Sequence, residues 1–162
     1  MRISIGSDHR GLEVKAALVA CATALGNQVF DEGPCSGESV DYPDIGALVG
    51  HKVSKQEADR GILICGTGIG MAITANKFAG VRAAVCNDVA TAKICRQHND
   101  ANVLCLSGDL PPDDAGKETR LRVLKAIVQA WLETAFEGGR HTRRVEKIGE
   151  IEQREAAATC GK

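Results

Sequence analysis

Short apolar runs alternate along this chain with stretches whose apolar residues recur every three or four positions. The runs cover residues 2–6, 28–31, 61–65, 81–86 and 103–106, and each has the length of a strand. The helical period appears over residues 12–25, where Val14, Leu18 and Leu25 are apolar and Gly26 is the stop. It returns over residues 45–56, 71–78 and from 89 to 96. Residues 117–136 read as a longer helix with a stripe of Leu121, Leu124, Val128 and Leu132. Val145, Ile148 and Ile151, spaced by three, mark a last amphipathic helix. Residues 32–42 and 107–116 are rich in turn residues and read as loops.

Strands alternating with helices argue for βαβ units and a parallel sheet, and crossovers in such sheets are right-handed. The expected fold class is α/β: a Rossmann-like three-layer sandwich with a five-stranded parallel sheet, forming a single domain over residues 1–162. The expected strand order is 2-1-3-4-5. That order puts a topological switch point between strands one and three, where ligands bind beyond the carboxyl ends. Strand one ends in Ser7-Asp8-His9 and strand three in Cys65-Gly66-Thr67, so two polar segments would meet at one crevice. Residues 137–162 form a basic segment and a C-terminal helix. Its thin apolar stripe suits packing on a partner subunit, although packing on its own domain is equally ordinary.

Composition narrows the function classes. A formal net charge of -1 and 3% aromatic residues argue against nucleic acid, since neither a basic field nor stacking platforms are present. No apolar run approaches the ~18–20 residues of a membrane span. The amino terminus enters a strand pattern with no charged segment and apolar core of a signal peptide, so the expectation is a cytoplasmic protein. The 7 cysteines are odd in number, irregularly spaced and free of CxxC pairs, which disfavours a disulfide framework and a zinc site.

The candidate chemistry centres on Ile62-Leu63-Ile64-Cys65-Gly66-Thr67-Gly68-Ile69-Gly70. A buried strand ends at a cysteine, and three alternate glycines follow. The spacing fails the dinucleotide fingerprint, because Met71 stands where glycine is needed, and it lacks the ending of a P-loop. A ring of backbone N–H groups at a helix start remains, suited to a phosphate or to a negative charge that develops during reaction. A tight strand-to-helix turn would also use these glycines. Cys65 is either a nucleophile or base favoured as thiolate by the helix end, or another buried strand cysteine. Asp8 and His9 suit hydroxyl and anion binding, and Asp8 also suits a helix cap. His98 is a candidate proton shuttle, or part of a helix stop. Arg140, His141, Arg143 and Arg144 form either a phosphate clamp or a solvated basic face.

Taken in order, five segments resemble the ribose-5-phosphate isomerase B family and its wider group of galactose-6-phosphate isomerase subunits. They are Gly6-Ser7-Asp8-His9, Asp41-Tyr42-Pro43, residues 61–70 with Ala75-Asn76-Lys77, Arg96-Gln97-His98-Asn99-Asp100, and Glu137-Gly138-Gly139-Arg140-His141 through Arg144-Val145. No single segment is decisive, but the ordered set is specific. The resemblance implies an aldose–ketose isomerase that acts on a phosphorylated sugar without metal or organic cofactor. It implies Cys65 as the base between C1 and C2, Thr67 as a hydroxyl assisting proton transfer at the sugar oxygens, and His98 as the acid and base of ring opening. The amides of Gly66, Thr67, Gly68, Ile69 and Gly70 would stabilise the enediolate. Asp8, Tyr42 and Asn99 would contact sugar hydroxyls, and His9, Arg140 and Arg144 would clamp the phosphate. Sites between subunits imply a homodimer at least, with a homotetramer open.

One departure stands out. The family carries an arginine in a Gly-x-Arg turn after strand five, and here Asp109 stands there, in Ser107-Gly108-Asp109-Leu110. The expectation is a loop directed away from the site, with weaker phosphate binding or a substitute cation. Ribose 5-phosphate is the leading substrate, with a six-carbon phosphate such as allose or galactose 6-phosphate as runner-up. A non-catalytic sugar-phosphate sensor would need the arginines and glycines but not Cys65, Thr67 and His98. A nucleotide-binding module is disfavoured by the failed fingerprints.

Overall fold

The computed structural model describes residues 1–109, 111 and 113–160, the last two without side chains. The strands are β1 (Arg2–Ser7), β2 (Gln28–Asp31), β3 (Arg60–Cys65), β4 (Ala83–Val85) and β5 (Val103–Ser107). The helices are α1 (Leu12–Ala24), α2 (Tyr42–Ser54), α3 (Ile69–Ala75), α4 (Val89–Asn99), α5 (Asp114–Glu133) and α6 (Arg140–Cys160). All pairings are parallel, so the expected α/β sandwich is present.

The order is β2-β1-β3-β5-β4, which corrects the expected 2-1-3-4-5. Burial explains the exchange. Val103, Leu104, Cys105 and Leu106 are fully buried and need a neighbour on both sides, whereas the three residues of β4 are half-buried and tolerate the edge. The chain therefore skips from β3 to the edge and returns inward through α4. The switch point between β1 and β3 is unaffected.

The two faces of the sheet follow from strand alternation. Ile3, Ile5, Ile62, Ile64, Leu104 and Leu106 point to a core shared with α1, α4 and α5. Leu63, Cys65, Val103 and Cys105 point the other way, toward α2 and α3. The connecting helix changes face each time the chain reverses direction across the sheet, as uniform crossover handedness requires. Trp131 of α5 is fully buried in the first core. The Arg60 guanidinium lies 5.1 Å from its ring centroid and donates to the carbonyls of Trp131 and Leu132. Burial first, and then the nearby Arg96 charge, push Arg60 down to about 10.

Four helix starts differ from expectation, and α3 begins at Ile69, two residues before the expected Met71. Helix α2 begins at Tyr42 because Pro43 is preorganised for the first turn. Helix α5 begins at Asp114, where the Asp113 carboxylate accepts from Gly116 N–H at 2.7 Å. The basic stretch 140–144 is helical and opens α6, so α6 starts five residues before Val145. Leu110 and Pro112, in the proline-bearing loop, lie outside the described residues.

Candidate active site

Strand β3 delivers Cys65 to the carboxyl edge of the sheet, beside Ser7 at the end of β1. Its thiol is buried, and the Gly68 N–H donates to its sulfur at 3.2 Å. Gly68 manages this with φ +78, a left-handed conformation, and a β-carbon there would stand 3.1 Å from three backbone atoms of Leu106. Two of the amides in this turn are thus engaged within the chain, Gly68 N–H with the Cys65 sulfur and Ile69 N–H with the Thr67 hydroxyl. Thr67 stabilises the bend, its hydroxyl accepting from Ile69 N–H at 3.3 Å. Gly70 is small for a different reason. A β-carbon on it would fall 2.6 Å from the Tyr42 ring, so the missing side chain lets the start of α2 close over the start of α3.

Asp8, Tyr42, Cys65, Gly66, Thr67, Ile69 and Gly70 line a cleft of about 420 Å³, together with Arg10 and Ile73. The Asp8 carboxylate accepts from the N–H groups of Arg10 and Gly11, at 3.0 and 3.1 Å, and so caps the single 3-10 turn His9–Gly11. Asp8 thus caps the turn and also lines the cleft. His9 is exposed beside the cleft, its Nδ1 3.4 Å from Val40 N and from Val40 O.

The remaining site candidates lie elsewhere. His98 and Asn99 end α4, which runs back toward the amino ends of the strands, and β5 starts at Val103 a few residues later. The His98 and His141 rings stack at 4.2 Å and 7°, placing His98 beside the first turn of α6, which carries Arg140 and Arg144. Glu137 reaches both imidazoles, at 3.9 and 3.7 Å. Burial first, then the charges of His98, Arg140 and Arg144, hold His141 below its ordinary value, against Glu137. This group sits at the amino edge of the sheet and Cys65 at the carboxyl edge. At ~3.3 Å per residue the length of β3 separates them by roughly 16 Å. Within one chain the two groups of candidate residues therefore do not meet.

The donor atoms of His98, Glu137 and His141 lie within 4.8 Å of one another. Stacked parallel imidazoles aim their in-plane lone pairs side by side, and Arg140 Nε lies 3.4 Å from His141 Nε2.

Asp109 does not line the Cys65 cleft; it borders a neighbouring hollow with Arg10, Glu13 and Gly108 and is paired with a cation. Both its oxygens accept from Arg10 Nη2, at 2.8 Å each. Arg10 was not among the expected site residues. Its signal was slight, an arginine directly after Asp8-His9, and its partner lies ninety-nine residues away.

These features define a parallel α/β protein with a cysteine-lined cleft at its switch point and a basic cluster at the opposite edge of the sheet. Comparison with known proteins gives the family. The Ribose/Galactose Isomerase family matches over residues 3–148. Ribose-5-phosphate isomerase B of Escherichia coli is 46% identical over 153 residues, covering 94% of this chain and 97% of that protein. The Clostridium thermocellum ribose-5-phosphate isomerase B structure superposes with a TM-score of 0.86 at 46% identity, covering 96% of this chain and 99% of that one. The Mycoplasma genitalium enzyme with bound ribulose-5-phosphate gives 0.84 at 41%, covering 94% and 96%. This chain belongs to the Ribose/Galactose Isomerase family.

Proposed function

We propose that the protein is an aldose–ketose isomerase interconverting ribose 5-phosphate and ribulose 5-phosphate. The observation that carries the reading is Cys65, held at the switch point with its sulfur on the Gly68 amide and open to a cleft containing Asp8, Tyr42 and Thr67. Family membership and the similar protein with bound ribulose-5-phosphate support the sugar.

In the open-chain aldose, Cys65 removes the proton from C2. The electrons move to the carbonyl oxygen and leave an enediolate. The same thiol returns the proton to C1, and Thr67 assists the oxygen-to-oxygen proton shift. Amides of Gly66, Gly68, Ile69 and Gly70 receive the developing charge, those of Gly68 and Ile69 exchanging their bonds to the Cys65 sulfur and the Thr67 hydroxyl for it, and removal of one such donor typically costs ~10²–10³ in rate. Asp8 and Tyr42 hold sugar hydroxyls. No hydride leaves the substrate, so the reaction is a proton relocation within one molecule.

The second half-site is supplied by another copy of the chain. His98 opens the furanose ring, Asn99 contacts a hydroxyl, and Arg140 and Arg144 face His9 across the phosphate. The separation of the half-sites within one protomer supports this assembly, as does α6, whose Ile148 and Ile151 are half-exposed. The protein is accordingly a homodimer or homotetramer of the cytoplasm. No described helix is long and apolar enough to cross a membrane.

The test is turnover by purified protein on ribose 5-phosphate against allose and galactose 6-phosphates. Preference for a six-carbon substrate would move the assignment within the family. Binding without turnover of any of them would make the protein a sensor.

A further inference from the structure

Arg10 lines the same cleft as Cys65 and is the cationic side chain among the described residues that do so. Its guanidinium lies flat against Gly66, where a β-carbon would be 2.8 Å from Nη1 and 2.9 Å from Cζ. That places a permanent positive charge on the backbone between Cys65 and Thr67. Asp109 takes hydrogen bonds from Nη2 only, at 2.8 Å to each oxygen. A guanidinium has five donors in a planar fork. Among the described residues, Nη1 and Nε donate to nothing.

Stability does not account for this arrangement. The two side chains are 56% and 51% exposed, and ion pairs so exposed contribute little to folding. Recognition does account for it. Cys65 is buried at the floor of the cleft, while Arg10 stands at the rim. A sugar phosphate lying with its reacting carbons at the floor presents its phosphate outward, toward the rim. Asp109 alone would repel that phosphate, but paired with Arg10 it is neutralised and keeps the guanidinium against Gly66.

We propose that Arg10, held by Asp109, binds the phosphate monoester of the substrate from the Cys65 side of the cleft. The inference rests on the sugar-phosphate isomerase reading and adds a contact from the protomer that supplies the base. Specificity is thereby set partly within one chain, and the fork left free by Asp109 suits phosphate oxygens bidentately.

The exposed position of Arg10 makes Arg10→Ala safe for folding. Two measurements are made on the wild type, Arg10→Ala and Arg10→Ala/Asp109→Ala: KM and kcat on ribose 5-phosphate, and a thermal-shift titration with inorganic phosphate. The single variant is expected to raise KM and weaken phosphate binding by about 10- to 100-fold, the range of a charge-assisted hydrogen bond, while kcat falls much less. It leaves Asp109 unpaired, so the double variant is expected to recover part of the loss. A double variant no better than the single one would remove Asp109 from the role. Equal phosphate binding by wild type and Arg10→Ala, or none by the wild type, would overturn the proposal even if turnover stands. A wild type that binds phosphate through Arg10 but isomerises no sugar phosphate would sink the isomerase reading and leave the Arg10 site intact.

Discussion

Cys65 and Cys105 show how little residue type alone reveals. Both are buried cysteines on neighbouring central strands, but Cys105 lies in the middle of β5, where burial pushes its thiol well up. Cys65 differs by ending its strand and meeting the Gly68 amide. Cys65→Ala should lower kcat by ~10²–10⁴, the usual contribution of a positioned base, and leave substrate binding largely intact. Wild-type-like turnover in that variant would remove the thiol from the reaction. His141 carries a pH dependence. Its folded value lies below the ordinary 6.5, so the unfolded chain takes up the proton first as pH falls. Its contribution to stability is complete above pH 6.5 and is lost as pH drops through the folded value. Denaturant midpoints between pH 7.5 and 5 should fall more steeply in the wild type than in His141→Asn, and parallel curves would dismiss the effect. At this scale most of the cleft was legible, because Asp8, Tyr42, Cys65 and the glycines occur in readable local patterns. Arg10 was not, because its meaning depends on Asp109 and on the bare backbone of Gly66, two contacts made only by folding.

The turn from β3 into α3 is the element on which the cleft depends. Gly68→Ala would force a side chain into the left-handed region and against the Leu106 backbone. Strain of this kind costs on the order of 1–3 kcal/mol. Chemical denaturation should show that loss, and turnover should fall as well, since the amide on the Cys65 sulfur would move. Unchanged stability would mean that the turn tolerates a β-carbon. Element types were readable from period and length, but the exchange of β4 and β5 was not. Both are short apolar runs in the sequence. Their order depends on how many neighbours each buries, which a single strand's pattern does not encode. Helix starts were misplaced for a related reason, since the early turns of α2 and α6 carry proline or charged residues that look like loop in the sequence alone.

The whole molecule divides its candidate site between opposite edges of one sheet. An assembly of two copies with composite sites has a direct test. Mixed and reassociated Cys65→Ala and Arg144→Ala chains form heterodimers in which one site carries both lesions and the other carries none. Each variant alone should be impaired, Cys65→Ala in kcat and Arg144→Ala about 10-fold in KM. The mixture should recover about a quarter of wild-type sites, since half of the dimers are mixed and each has one intact site of two. No recovery on mixing would place both half-sites' roles elsewhere. The chain also has one tryptophan and one tyrosine. Trp131 is sealed in the core beneath Arg60, while Tyr42 is exposed against Gly70 in the cleft. Two intrinsic chromophores thus divide the optical signal: tryptophan emission follows unfolding, tyrosine absorbance follows ligand, and a single unlabelled sample distinguishes a variant that has lost its fold from one that has lost only its substrate.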